Sequence, residues 1–201
     1  MKKATPALLL AIAVALIGFS PRASLAETPS NYVVLKGGLY SPSETFRHGT
    51  TDFNLDDGFV VEIAYGRHIL PVLALELGAG YFESKGSPAV APGEVKVKVV
   101  PVTATAKGLL PLGPVEPYGE FGIGAYFTDG EVSGSSDPTL NVSASTKTSF
   151  GLHAGAGVNI NITSNLFLGV EGRYLWAKPS IGGDHLDLNG FTVTGDLGLR
   201  F

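Results

Sequence analysis

From Phe191 onward the odd positions read Phe191, Val193, Gly195, Leu197, Leu199 and Phe201, and the even ones Thr192, Thr194, Asp196, Gly198 and Arg200. A repeat of two makes an extended strand with one apolar and one polar face. The same alternation recurs seven times upstream. Strand one runs from about Tyr32 to Tyr40, with Val33, Leu35, Gly37 and Leu39 opposite Lys36. Strand two spans about Phe59 to His68 and sets Phe59, Val61, Ile63 and Tyr65 against Glu62, Ala64 and Gly66. Strand three, about Val72 to Phe82, opposes leucines to Glu76, Gly78 and Gly80. Strand four lies within about Val95 to Leu110, strand five within Pro117 to Thr128, strand six within Thr148 to Ile162 and strand seven within Leu166 to Trp176.

The connections alternate in length. Arg67–Pro71, Pro111–Glu116 and Thr163–Asn165 are short, whereas Ser41–Gly58, Glu83–Glu94, Asp129–Lys147 and Lys178–Asp187 are long and polar. Three short turns and four long loops predict an all-β fold, an eight-stranded antiparallel up-and-down transmembrane barrel with short periplasmic turns and four longer extracellular loops. A soluble barrel would also alternate, but its apolar face would point inward. Strands of nine to eleven residues suit a tilted membrane crossing, and Tyr40, Tyr65, Tyr81 and Trp176 near strand ends suit interfacial girdles. Strand four breaks phase. Its valines are odd from Val95 to Val99 and its apolar residues even from Val100 to Leu110, with Pro101 between. Either a bulge flips the faces there, or Lys96 and Lys98 face outward at the extracellular rim, within reach of lipid phosphates.

Residues 1–26 have the form of a signal peptide. Lys2 and Lys3 precede an apolar run from Ala7 to Phe19, and Ser24-Leu25-Ala26 places small residues for cleavage after Ala26. The barrel domain is then residues 27–201, with eleven basic and eighteen acidic residues and a net charge of −7. That balance does not suit a nucleic-acid binder. The chain has no cysteine, which excludes disulfides, thiol catalysis and thiolate metal sites.

If the apolar face meets lipid, the other face lines the lumen. Lys36, Glu62, Glu76, Lys107, Glu120, His153, Glu171, Arg173, Asp196 and Arg200 then point inward. An eight-stranded barrel is just wide enough for side chains to fill, and charges buried there need partners. The expectation is a polar network in which the carboxylates pair with Lys36, Lys107, Arg173 and Arg200 and plug the barrel. A narrow polar path, or a lateral opening for a small apolar solute, is the alternative. Catalysis at His153 would need a nucleophile on the same face, and the flanking positions at that spacing are Gly151 and Gly155. No enzymatic activity, cofactor or metal is expected. The four histidines lack metal-site spacing, and Asp52, Asp56 and Asp57 look like a solvated acidic surface.

Residues 30–201 resemble the small outer-membrane β-barrel family that includes OmpA-like, OmpX-like and OmpW-like proteins. The stretches VEPYGEFGIGAYF, GLHAGAGVNINITSNLFLGVEGRYL and GFTVTGDLGLRF carry the likeness. It implies a monomeric barrel in the bacterial outer membrane, with outer-membrane lipids and lipopolysaccharide as surroundings. Periplasmic chaperones and the barrel-assembly machinery would be its partners in biogenesis, with Phe201 as the terminal aromatic that this machinery recognises. Family roles include structural anchors, adhesins, proposed small-solute channels and a few lipid A enzymes. His153-Ala154-Gly155 departs from the His-x-Ser pair of the lipid A deacylases. The role expected here is structural or surface-interactive. An OmpW-like passage for small, hydrophobic solutes is the alternative and lipid A hydrolysis a remote third.

Overall fold

The computed structural model of the protein describes residues 30–43, 46–48, 51–55, 57–88, 94–133, 143–177, 180–181, 184–185 and 189–201. The leader of residues 1–26 and its cleavage point lie outside them, as do Asp56 and the side chain of Asp52. Eight long strands make the wall: β1 Asn31–Pro42, β2 Gly58–Leu70, β3 Leu73–Pro88, β4 Glu94–Leu109, β5 Val115–Ser133, β6 Ser143–Asn161, β7 Leu166–Ala177 and β8 Gly190–Arg200. Each pairs antiparallel with its sequence neighbours. Strand β8 returns to β1, in register from Tyr32↔Arg200 to Pro42↔Gly190. The ladder therefore closes on itself and leaves no edge, as a membrane-spanning sheet must.

The two ends differ. At one, β2 turns into β3 through Pro71-Val72. At the same end Leu112 and Val115 bridge around Gly113, whose φ of 74° is open to glycine and strained for most other residues. The third turn is tied by Thr163, whose Oγ1 accepts the backbone N–H groups of Asn165 and Leu166 at 3.2 and 3.0 Å. At the other end the expected long loops prove to be partly strand. β3 and β4 remain paired out to Gly86↔Val95, and β4 and β5 out to Glu94↔Ser133. Two short strands, Phe46–His48 and Thr51–Leu55, form a hairpin whose second strand adds to β3.

Lipid-side and lumen-side residues alternate. Leu35, Leu39, Ile63, Leu77, Ile123, Leu168, Val170 and Leu197 are exposed, while Lys36, Glu62, Glu76, Glu120 and Glu171 are buried. Polar groups inside and apolar groups outside is the reverse of a soluble barrel. Strand β4 has no bulge against β5, because its partners step evenly from Glu94↔Ser133 to Leu109↔Tyr118. Its phase change is a passage out of the membrane: Val102 and Val100 face lipid and Lys98 faces outward above them. On the same rung stand Glu83 of β3 and Asp129 of β5. One residue placed in the girdle needs correcting. Tyr40 shares parity with Lys36, is 2 % exposed, and packs on Phe82 inside the lumen with ring centroids 4.8 Å apart. Tyr174 and Trp176, 4.7 Å apart, do lie on the outside.

Candidate functional site

The lumen is stacked in three layers. Toward the turn-bearing end, Tyr32, Val34, Ala64, Ala74, Leu109, Tyr118 and Phe167 form one apolar cluster. Toward the extended end, Tyr40, Val60, Phe82, Val99, Tyr126, Leu175 and Ala177 form another. Charged side chains fill the space between them. Small residues in the wall make room for the large ones. A Cβ at Gly66 would strike the Tyr32 ring, and one at Gly157 the Tyr118 ring.

The middle layer holds three cations and four carboxylates. Lys36 Nζ lies 2.8 Å from Glu76 Oε1, 3.0 Å from Glu171 Oε2 and 3.2 Å from Glu62 Oε1. Lys107 Nζ lies 3.0 Å from Glu76 Oε2, 3.2 Å from Glu171 Oε2 and 3.5 Å from Glu120 Oε2. Arg173 addresses three carboxylates with three different nitrogens: Nε to Glu120 at 2.7 Å, Nη1 to Glu62 at 3.0 Å and Nη2 to Glu171 at 2.8 Å. Tyr32 and Tyr118 donate their hydroxyls to Glu76 and Glu171 at 3.0 and 2.9 Å. Strand register supplies part of this geometry, since Lys36 faces Glu62 across β1–β2 and Lys107 faces Glu120 across β4–β5. The rest crosses the barrel interior. Each carboxylate is shared, so removing any one member leaves several buried charges short of a partner.

Three residues of the expected network line the lumen outside the set of ion pairs just described. Arg200 is not in the central layer. Its Nη2 lies 2.9 Å from Glu116 Oε1, its Nη1 donates to Asn161 Oδ1 at 2.6 Å, and its guanidinium carbon stands 4.7 Å from the centre of the Phe167 ring. This second cluster closes the turn-bearing end. Asp196 accepts from Thr194 Oγ1 at 2.8 Å. His153 is fully buried and meets Thr105 Oγ1 through Nε2 at 2.8 Å, with Gly122 on the facing strand giving the ring its space. A threonine hydroxyl beside a histidine has the outline of a nucleophile and base, but both are sealed in the wall. Their contact is a buried hydrogen bond. Among the described residues, no group of three or more His, Asp or Glu side chains is placed to hold a metal ion.

Glu116, Tyr32 and Tyr118 carry parts of these clusters and were not singled out in the sequence. Glu116 shares parity with Glu120 but falls in a segment read as turn. The two tyrosines stand at strand ends on the inward face, where the alternation gives aromatic residues no polar signal.

A cavity of about 40 Å³ lies between the ionic layer and the outer apolar cluster, lined by Glu62, Phe82, Pro101, Tyr126 and Arg173 among others. That is room for a water molecule or two. Beside it the β3–β4 ladder is interrupted at Pro101, between the pairs Ala79↔Val102 and Phe82↔Val99. Proline has no N–H to give, and the Pro101 ring leans toward Gly80, where a Cβ would lie 3.2 Å from its Cγ.

The family model described as "Outer membrane protein beta-barrel domain" matches residues 10–201. Among solved structures, OprG from Pseudomonas aeruginosa superposes with a TM-score of 0.67 at 14% identity, covering 86% of this chain and 97% of that one. The Neisserial surface protein A gives 0.56 at 17% identity, covering 85% and 97%. Ail, the attachment invasion locus protein of Yersinia pestis, gives 0.53 at 14% identity, covering 86% and 99%. At these identities the likeness is one of fold. No curated protein sequence matches the chain. With the family model spanning nearly its whole length and the closed, inside-polar wall, the chain belongs to the outer-membrane protein β-barrel domain family and is a small eight-stranded barrel of the bacterial outer membrane.

Proposed function

We propose that this protein is a non-enzymatic, monomeric outer-membrane barrel with a closed interior, whose role is structural or exerted through its extracellular end. One observation carries this reading. Among the described residues the lumen is filled in succession by an apolar, an ionic and an apolar layer, and the cavity between the ionic and outer layers measures about 40 Å³. An ion following the axis would have to displace paired charges and then cross a hydrocarbon plug. The polar network of Lys36, Glu62, Glu76, Lys107, Glu120, Glu171 and Arg173 plugs the middle of the barrel between the two apolar layers and locks strand register. The test is single-channel recording from the refolded protein in planar bilayers, its folding established by the gel shift between boiled and unboiled samples. Folded protein without conductance steps is expected. Reproducible steps that vanish on blocking the lumen near Glu120 would overturn the plug.

A second reading has its own support. Pro101, which gives β4 no N–H toward β3, lies beside the outer apolar layer and a small cavity. A small apolar solute could leave sideways there into the membrane, carrying no current. Uptake of an apolar dye by proteoliposomes, set against bare liposomes, measures this route directly.

Biogenesis follows the same proposal. Residues 1–26 act as a leader cleaved after Ala26, and Phe201, half-exposed on the lipid side 6.5 Å from Tyr65, is the terminal aromatic read by the assembly machinery. Phe201→Ala should lower the amount of assembled barrel in cells while leaving refolding in detergent unchanged. Equal loss in both settings would make Phe201 a packing residue only. The mass of the outer-membrane form should place its first residue at Glu27.

A further inference from the structure

Charge inside the wall does not balance. Among the described residues six carboxylates are buried, Glu62, Glu76, Glu116, Glu120, Glu171 and Asp196, against Lys36, Lys107 and Arg173. Arg200 adds a fourth cation and is matched by Glu116. Two negative charges are therefore in excess, in an interior where an unpaired charge is expensive. His153 does not make up the difference. Its Nε2 meets Thr105 Oγ1, but its Nδ1 is sealed without a partner, so an imidazolium would bury an N–H with nothing to accept it. One excess charge is spread over the four glutamates of the ionic layer, which surround three cations and also accept the hydroxyls of Tyr32 and Tyr118. The other belongs to Asp196.

Asp196 stands apart from the cations. Lys36 is its ladder partner on β1, yet the ammonium group is turned to Glu62, Glu76 and Glu171. Among the described residues Asp196 accepts a hydrogen bond from Thr194 Oγ1 at 2.8 Å and forms no ion pair. Its next neighbour is another acceptor. Gly169 on β7 is the ladder partner of both Asp196 on β8 and Asn159 on β6. With no side chain between them the two come together: a Cβ at Gly169 would lie 2.8 Å from Asn159 Oδ1 and 3.3 Å from Asp196 Cβ. The amide is oriented by its Nδ2, which donates to Glu116 Oε1 at 3.3 Å, so its carbonyl oxygen is the end presented over Gly169. Both side chains are buried, Asn159 at 8 % and Asp196 at 6 % exposure. An ionised carboxyl and an amide oxygen are both acceptors and repel when buried side by side. A proton on the carboxyl supplies the missing donor.

We propose that Asp196 is a buried proton site, neutral at neutral pH, whose acid O–H turns to Asn159 Oδ1 and joins the ionic layer to the Glu116–Arg200 cluster. Closure of the barrel is thereby linked to protons. In water the unfolded chain ionises this carboxyl, so the folded barrel holds the extra proton and its stability falls as pH rises. The test is infrared spectroscopy at neutral pH on the refolded barrel, folded by the gel-shift criterion. The carbonyl band of a protonated carboxylic acid is expected. It should shift when the aspartates carry heavy carbon at the side-chain carboxyl, vanish in Asp196→Asn, and persist in Asp57→Asn, which alters an exposed carboxylate. Asparagine keeps a donor toward Asn159, so the urea midpoint of Asp196→Asn should fall less than that of the native barrel between neutral and mildly alkaline solution. A native barrel without the acid band, or with a band that ignores the aspartate label, would overturn the proposal, as would equal falls of the two midpoints. None of these readings involves conductance, so they stand or fall separately from the closed lumen.

Discussion

Two glycines one strand face apart show how strictly position decides what a residue does here. Gly155 points inward; a Cβ there would lie 2.5 Å from the Gly172 carbonyl oxygen, 3.0 Å from Arg173 Cα and 3.1 Å from Glu120 Oε1. Two of those neighbours are backbone and cannot step aside, so Gly155→Ala should cost about 1–3 kcal/mol, the usual range for overpacking. Gly37 points to lipid and has nothing within 4 Å of the same probe position. Gly37→Ala should be neutral or stabilising by up to about 1 kcal/mol, because it narrows the unfolded ensemble. Urea unfolding of both variants in detergent checks the pair, and equal effects would show that the lumen yields where its packing indicates it cannot. Parity alone would have told Gly155 from Gly37 in the sequence. What it could not tell is that Gly155 passes Glu120 to Arg173, since that needs the two strands flanking β6 to be placed at once.

At the scale of elements, strand identity and facing were legible because each strand meets lipid on one side and a crowded lumen on the other, which enforces the period of two. Lengths were not. The strands run on past the membrane, and there the solvent on the outside no longer demands apolar residues, so β3, β4 and β5 lose their signature at Glu83, Lys98 and Asp129 while the ladder continues. The same change of solvent produced the misleading phase at Pro101. Tyr40 was misplaced for a related reason: an aromatic near a strand end suits both a girdle and a lumen cap, although its parity with Lys36 favours the lumen. Pro101 also offers the clearest element-level test. Pro101→Thr gives β4 an N–H at the interruption, and a recovered ladder bond is worth about 0.5–1.5 kcal/mol. Amide exchange at Gly80 should slow, and sideways passage of an apolar dye, where measurable, should fall. Unchanged exchange would place the cause of the gap outside the proline.

On the scale of the whole molecule, the ionic layer ties together strands that the ladder does not. Glu171 on β7 answers Lys36 on β1, Lys107 on β4 and Arg173 on its own strand, while Arg173 reaches Glu62 on β2 and Glu120 on β5. Which carboxylate meets which cation depends on the stagger of the closed barrel. Alternation does not encode that, so the sequence alone does not separate Arg200, which pairs with Glu116 near the turns, from the central layer. Arg173→Leu leaves Glu62, Glu120 and Glu171 each short of a cation, and a loss of about 3–5 kcal/mol is expected for a broken buried pair. The unfolding midpoint should fall, and restoring balance with Glu120→Leu in the same chain should recover part of the loss. An unaltered midpoint for Arg173→Leu would mean that water already replaces the guanidinium.

The seam between β1 and β8 is where the first and last strands of the barrel meet, and Lys36 lies in it, opposite Asp196 on β8 and reaching Glu171 on β7. A slip of one residue at that join would turn Lys36 from the lumen to the hydrocarbon. A lysine facing lipid near the midplane of a barrel costs roughly 2–4 kcal/mol, before its abandoned carboxylates are considered. Misjoined barrels are thereby penalised by their own charge, and correct closure is the arrangement that lets an ammonium group leave oil for its counterions.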